Sequence, residues 1–357
     1  MIRVLLVAPS EDIVGGQSIQ AGRIRREMTK VPQVAMKFLP INQRFPAPLR
    51  WAHRVRYLRT TVNFIHYMLM LAVRAASADV LHIFTASFWS YTLWSMPAIL
   101  VGKLYGKQVI LNYRDGRCED HLRNWRTAIP TIRLADAVVA PSGYLVDVFG
   151  RYGIAAESIP NFLDTSRFRY RKRGPVRPAL MTNRGLETLY NIPCILRAFA
   201  LIQQRYPEAT LTIAHDGPLR AELEEMAAGL GLRHTQFLGS VPQEKIPSLY
   251  DQAEIYVTTP NIDCMPGSLL ECMASGLPIV ATHAGGIPYI VKDQQTALLV
   301  DMEDHEGVAR CCLRLLEDPD LVQRLTQAAY EAVQEYAPEH SLNKWVALYR
   351  RLVERNP

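Results

Sequence analysis

Two carboxylates, Asp263 and Glu271, stand close together in the segment Thr258-Thr-Pro-Asn-Ile-Asp-Cys-Met-Pro-Gly-Ser-Leu-Leu-Glu271. The segment reads as a strand, a loop carrying Asp263, and a helix that opens at Pro266 and Gly267 with Glu271 about one turn in. Proline suits a first helical position, and glycine lets a ligand approach the backbone. The N–H groups at such a helix end, reinforced by the dipole, hold an anion such as a diphosphate. Flanking carboxylates accept hydrogen bonds from vicinal hydroxyls, as on a sugar or a ribose. A buried, well-capped helix whose Glu271 only complements the dipole would show the same pattern.

Other candidates lie along the chain. Met181-Thr-Asn-Arg-Gly-Leu-Glu-Thr-Leu-Tyr-Asn191 carries Arg184, whose guanidinium fork suits phosphate. Ala214-His-Asp-Gly-Pro-Leu-Arg220 reads as a strand ending in a turn that opens a helix, and Gly15-Gly16-Gln17 follows the first strand. Leu111-Asn-Tyr-Arg-Asp-Gly116 sets Arg114 beside Asp115 after another strand. An arginine cannot serve as a base at neutral pH. His82 and His121 stand alone, a setting in which histidine is more often structural.

These residues must be positioned by an alternating series of short apolar runs and amphipathic stretches. The runs predict strands at 3–8, 34–39, 79–84, 108–112, 137–140 and 157–160. A second series follows at 179–182, 210–214, 235–238, 254–258, 278–281 and 297–300. Strand–helix alternation implies parallel sheets covered on both faces, an α/β fold. The stretch 162–178, FLDTSRFRYRKRGPVRP, is basic and without apolar period, and reads as a linker between two domains. The predicted domains are 1–165, joined by a returning helix in 338–357, and 166–337. Doubly wound sheets take their ligands at the carboxyl ends of the strands.

The 357 residues suit two cores of similar size. The start, MIRVLLVAPS, reads as a strand and not as a secretory leader, so a cytoplasmic location is expected. Six cysteines without paired spacing imply reduced thiols, neither disulfides nor zinc. Residues 1–165 carry 20 Lys and Arg against 11 Asp and Glu; the remainder carries 20 against 23. An anionic partner for the first half follows. Residues 49–75 join an arginine-rich stretch to an apolar run too short to span a bilayer. They fit a basic amphipathic helix at an anionic membrane surface, or a core helix with a solvated arginine face.

Taken in order with Phe237-Leu-Gly-Ser-Val-Pro242 and Ala284-Gly-Gly-Ile-Pro288, the second-half motifs resemble glycosyltransferase family 4 over residues about 179–335. The first half is similar mainly in layout and in Gly15-Gly16. The resemblance implies the GT-B fold: two facing Rossmann-like, doubly wound domains with a C-terminal helix crossing back to the first. It implies that Asp263, in place of the family's first glutamate, touches the donor sugar and that Glu271 binds the ribose hydroxyls. Met265, Pro266, Gly267 and Ser268 would lie against the sugar and phosphates. Arg184 matches the diphosphate-gripping arginine. The lysine that usually follows has no counterpart, and Glu187, Tyr190 and Asn191 occupy that stretch. Asp216 and Gly217 match a turn beside the nucleotide, Val241 a neighbour of the base, and Gly15 and Gly16 a phosphate- or acceptor-binding turn. Where related enzymes often have a histidine, this chain has Arg114. Either Asp115 accepts the acceptor's proton or Arg114 steadies the leaving phosphate.

The activity implied is retaining transfer of a hexosyl group from a UDP- or GDP-sugar to a hydroxyl of a glycan or lipid-linked acceptor in cell-envelope synthesis. It needs no cofactor, metal or nucleic acid. The rival implied by the altered positions is a catalytically inactive nucleotide-sugar-binding partner protein. A sugar-nucleotide epimerase of the same fold is the third reading.

Overall fold

The computed structural model describes residues 1–10, 15–42 and 56–354. They form two compact units, Met1–Phe162 with Pro338–Pro357, and Leu163–Ala337. Unit 1 contains β1 (Ile2–Ala8), β2 (Val34–Pro40), β3 (Val80–Thr85), β4 (Gln108–Tyr113), β5 (Ala137–Ala140) and β6 (Glu157–Ser158). Unit 2 contains β7 (Ala179–Thr182), β8 (Thr210–Ile213), β9 (Thr235–Phe237), β10 (Ile255–Thr258), β11 (Ile279–Thr282) and β12 (Leu298–Val300). All twelve expected strands are present, with ends shifted by a residue or two. The shifts arise because the last ladder bonds depend on neighbours that local pattern does not report.

Both sheets are parallel throughout. Their orders are β2-β1-β3-β4-β5-β6 and β12-β11-β10-β7-β8-β9. Every residue of β3 and of β10 is buried, as expected of central parallel strands covered on both faces. The order reverses between β1 and β3 in unit 1, and between β7 and β10 in unit 2. Those are the points where the first connections leave toward opposite sides and a crevice opens beyond the strand ends.

One face of the first sheet packs Val4, Leu6, Phe84, Ile110 and Val139 against the helix Gly16–Met28 and the last helix, Pro338–Glu354. That last helix contributes Trp345, Leu348, Tyr349 and Leu352, all buried, and so belongs to unit 1. Each such side chain is worth about 1.5–3 kcal/mol of apolar burial. Asp304 and Asp318 cap the helices His305–Glu317 and Pro319–Val333, accepting from the N–H groups of Gly307 (2.8 Å) and Leu321 (2.9 Å).

The basic stretch expected as a linker folds onto unit 2 from Leu163 onward. Arg173 is buried and donates through Nη1 to the carbonyls of Ser275 (2.8 Å) and Gly276 (2.6 Å). Its Nη2 donates to the carbonyls of Tyr250 (2.9 Å) and Ala253 (3.1 Å). One guanidinium thus satisfies the carboxyl-terminal ends of the helices Ile246–Gln252 and Gly267–Ala274. Arg171 and Arg177 pair with Glu254 at 2.8 and 3.0 Å.

The lone histidines are structural groups. His82 is held between the Tyr349 hydroxyl (2.7 Å) and the Asn112 amide (3.0 Å), and burial, then the charge of Arg114, lowers its pKa to about 3. Burial lowers that of His121 to about 4. Both imidazoles are neutral in the fold, while the unfolded chain protonates them below about 6.5. The unfolded state therefore binds more protons between pH 6.5 and 4, and stability falls as pH falls, by at most about 1.4 kcal/mol per unit for each imidazole. Urea midpoints measured from pH 7 to 5 should show this decline, and His82→Gln should flatten it. An unchanged slope would remove His82 from the account.

Candidate functional site

The carboxyl ends of β7 and β10, where the order of the second sheet reverses, carry two candidate groups that are 79 residues apart in sequence. Leaving β7, the chain presents Asn183 and Arg184; leaving β10, it presents Asp263. Arg184 Nη2 donates to Asp263 Oδ2 in a close ion pair, with both side chains about nine-tenths buried. Its Nη1 reaches Ser268 Oγ at 3.5 Å, and its guanidinium stacks 4.3 Å from the centre of the Tyr190 ring. Burial opposes the Arg184 charge, but Asp263 holds its pKa above the ordinary value. Burial raises the Asp263 carboxyl, while Arg184 and the N–H groups of Met265 and Cys264 pull it down. Burial prevails, so the Asp263 carboxyl lies above its ordinary value.

The backbone around Asp263 is held by close approach. Gly286 N–H donates to the Asp263 carbonyl at 2.8 Å, and Gly285 sits at φ 51°, where a Cβ would lie 2.2 Å from that oxygen. No other residue type fits there. Met265 N–H donates to Asp263 Oδ1 at 3.2 Å. Pro266 then caps the helix Gly267–Ala274 in extended geometry, so Gly267 and Ser268 open its first turn. Their N–H groups have no partner within the helix.

Glu271 faces the same place from inside the helix, 6% exposed. It does more than complement a dipole: Oε2 accepts from the Tyr250 hydroxyl at 2.9 Å. That hydroxyl accepts from Asn183 Nδ2 at 2.8 Å, and Asn183 Oδ1 accepts from the Tyr256 hydroxyl at 2.8 Å. Burial and the carboxylate raise the Tyr250 pKa far above 10, so its proton stays on oxygen and the chain of donors has one direction. Tyr250, Tyr256 and Asn183 were not singled out from sequence. Asn183 adjoins Arg184, but nothing in local spacing marks the two tyrosines.

Asp216 and Gly217 lace the β8 turn to the Arg184 loop. Leu186 N–H donates to the Asp216 carbonyl at 3.1 Å, and a Cβ on Gly217 would lie 2.5 Å from the Leu186 carbonyl. Asp216 is exposed beside Arg220, at 3.8 Å. Glu187 is exposed in the same loop, and Val241 packs on the core cluster that contains Tyr250, Met265 and Leu270. The structure therefore brings Arg184, Asp263, Met265, Pro266, Gly267, Ser268 and Glu271 together, with Glu187, Asp216 and Gly217 in loops beside them.

Unit 1 presents its own group where its sheet reverses. Gly15 and Gly16 start the helix Gly16–Met28, and Gln17 Nε2 donates to the Arg114 carbonyl at 3.5 Å. Arg114, 8% exposed, donates to Asn112 Oδ1 (3.3 Å) and to Asn161 Oδ1, and lies 4.9 Å from the centre of the Phe84 ring. Asp115 accepts from Arg117 Nη2 (3.0 Å) and from Ser87 N–H (3.1 Å). Burial works to raise its pKa, but these donors hold it below the ordinary value. A carboxylate so stabilised is a weak base and a good hydrogen-bond acceptor.

Comparison with known proteins locates the same half of the chain. Residues 164–332 match the family described as glycosyl transferases group 1. The chain is 34% identical over 179 residues to D-inositol 3-phosphate glycosyltransferase of Corynebacterium urealyticum, covering 47% of this chain and 40% of that protein. It is 29% identical over 217 residues to the GDP-mannose-dependent alpha-(1-6)-phosphatidylinositol monomannoside mannosyltransferase of Mycolicibacterium smegmatis, covering 54% and 56%. The chain thus spans about half the length of these relatives. Among solved structures it resembles sucrose-phosphate synthase from Thermosynechococcus elongatus, with TM-score 0.77, 17% identity and full coverage of both chains. Anabaena HepE in complex with UDP and glucose gives TM-score 0.74 at 17% identity over 98% of this chain and 99% of that one. These likenesses show the fold, which is GT-B.

Proposed function

We propose, from the match of residues 164–332 to the glycosyl transferases group 1, that the chain is a member of glycosyltransferase family 4 and a retaining, metal-independent hexosyltransferase using a UDP- or GDP-sugar. The observation that carries the reading is the Arg184–Asp263 pair at the carboxyl ends of β7 and β10, beside the open first turn of Gly267–Ala274. Arg184 and the N–H groups of Gly267 and Ser268 would receive the diphosphate. Glu271, fixed by Tyr250, would accept from the ribose hydroxyls, and Asp263 would accept from the sugar. The relatives' names support both nucleotide classes: one is GDP-mannose-dependent and one solved structure holds UDP.

In the step proposed, the bond from the anomeric carbon to the diphosphate oxygen breaks as the acceptor oxygen bonds to that carbon on the same face. The acceptor's hydroxyl proton passes to the departing phosphate oxygen. Such a step needs stabilised negative charge on the diphosphate more than a strong base, which suits a site with Arg184 and a weakly basic Asp115. The acceptor is a glycan or lipid-linked hydroxyl of the cell envelope, bound by unit 1, with Arg114 and Asp115 at its carboxyl-end loops.

Incubation of the full chain with UDP-, GDP- and ADP-sugars should release nucleotide slowly from one of the first two, with no loss of rate on addition of a chelator. Binding without turnover, even with membrane extract as acceptor, would favour the inactive partner protein. Absence of binding would remove both readings.

We place the enzyme at an anionic inner-membrane face. On the helix Arg56–Ala76, Ile65, Leu69 and Val73 are 54%, 63% and 70% exposed and form one stripe. The neighbouring helix Met96–Leu104, packed against it, adds Leu100 and Leu104. Residues 28–78 supply eight basic groups and no acidic one; residues 49–55 of the expected helix lie outside the described residues. Apolar stripes rimmed by positive charge bind anionic interfaces. Among the described residues no helix is long and apolar enough to cross a membrane. Phosphatidylglycerol vesicles should co-sediment the chain, and Leu69→Glu with Leu104→Glu should abolish this; sedimentation that survives the pair of changes removes this surface from the proposal.

A further inference from the structure

An aromatic cluster follows β3 in unit 1, outside the donor group. Ser87 is tied down by its N–H to Asp115 Oδ2 (3.1 Å), and its hydroxyl shares a hydrogen bond with Tyr113 (2.8 Å). The next residue, Phe88, has φ 56°. A bulky side chain in the left-handed region is strained, and such strain persists where surrounding structure enforces it, often at ligand sites. A five-residue π-helix, Tyr91–Ser95, follows at once, another feature frequent at functional sites.

The result of these distortions is the placement of Trp89, which is 67% exposed. Its ring meets Trp125 edge to face at 5.4 Å and 79°. Trp125 is fixed in turn by Nε1 donating to Thr92 Oγ1 (2.8 Å) and by Phe88 at 5.8 Å and 80°. Arg117 lies 5.4 Å over the Phe88 ring and pairs with Asp115 at 3.0 Å. The Trp89 indole is therefore open to solvent one residue along from Phe88, over which Arg117 lies, and two from Ser87, which Asp115 holds, at the strand ends where doubly wound units bind ligands.

We infer that Trp89, supported by Trp125 and Phe88 and rimmed by Asp115 and Arg117, is a platform for a pyranose ring of the acceptor. The inference rests on the proposed function and supplies its acceptor class: a glycan, held by its sugar and not by a lipid tail. A pyranose has a face of C–H groups, which the negative face of an aromatic ring attracts, and a rim of hydroxyls. Asp115 accepts from those hydroxyls and Arg117 donates to them. Trp89 leans on Trp125, which its own neighbours hold, so binding needs little further ordering of the support.

The full chain would be titrated with methyl α-D-mannopyranoside, methyl β-D-glucopyranoside and methyl β-D-galactopyranoside, read by saturation-transfer NMR. At least one should receive saturation on its ring C–H protons, with Kd raised 10-fold or more by Trp89→Ala and less by Trp89→Phe. The melting shifts given by UDP- and GDP-sugars should be the same in both variants as in the unaltered chain. No saturation of any glycoside, or saturation unchanged in Trp89→Ala, overturns the platform. So does a Trp89-dependent fluorescence response to phosphatidylglycerol vesicles alone. A chain that shows glycoside binding but no donor melting shift would instead overturn the donor reading and leave the platform standing.

Discussion

Arg184→Ala is expected to weaken donor binding by 10-fold to 100-fold and, in the same protein, to lower the stability of unit 2 by about 3–5 kcal/mol. The two effects have separate origins. Charge-assisted hydrogen bonds to a diphosphate are worth about 1.5–3 kcal/mol, which sets the affinity loss. The stability loss comes from Asp263, whose side chain is 11% exposed and loses its partner when the guanidinium goes; removing one partner of a buried pair has that order of cost. The double change Arg184→Ala with Asp263→Ala should therefore recover much of the stability and none of the binding. Arg184→Lys keeps the charge but loses the fork and the stacking on Tyr190, and should fall between. Urea unfolding and donor-dependent melting shifts read the two effects independently. A double variant no more stable than Arg184→Ala would show that the pair is not the source.

Arg173→Ala should destabilise the chain by a similar amount, about 3–5 kcal/mol, without touching a ligand. The side chain is 2% exposed and serves four carbonyl oxygens and Glu254. Its loss takes the guanidinium from the carbonyls of Tyr250 and Gly276, and each unsatisfied group costs about 1–3 kcal/mol; Ser275, Ala253 and Glu254 keep donors from Arg171 and Arg177. Lysine has one ammonium in place of a fork and should not restore the four contacts. Because the carbonyls of Tyr250 and Ser275 end the helices that carry Tyr250 and Glu271, donor binding should weaken as a secondary effect. An unfolding free energy in urea within about 0.5 kcal/mol of the unaltered chain would contradict this, since only surface changes behave so.

The difference between these two arginines marks what could be read in advance. Arg184 was legible because it follows a strand and precedes a helix, where phosphate-binding residues sit. Arg173 lies in a basic stretch without apolar period, and such a stretch reads as solvated linker. Its partners are 77 to 103 residues away, so no local pattern announces them. The strands were legible because buried parallel strands leave short apolar runs between helices, and the twelve runs are where the sheets are. Asp263 and Glu271 were legible for a similar local reason, the loop and helix start that separate them.

Tyr250 and Tyr256 were not, because their roles depend on sheet order. Tyr256 is in β10 and Asn183 follows β7; only the pairing of those two strands brings them together. In unit 1, Arg114 and Asp115 were visible as a charged pair after a strand, but their different fates were not. Arg114 turns inward to Asn112 and Asn161, whereas Asp115 turns to Arg117 and Ser87. The strained Phe88 and the π-helix after it left no signal, since sequence pattern reports propensity and strain is imposed by packing.

The account stands most directly on donor binding at the carboxyl ends of β7 and β10. Calorimetric titration of the unaltered chain, Asp263→Ala and Glu271→Ala with the same UDP- or GDP-sugar tests it in one experiment. The expected result is saturable binding by the unaltered chain, weakened at least 10-fold in each variant while all three remain folded. Equal affinity in the three proteins, or no binding of either sugar nucleotide to the unaltered chain, would contradict it.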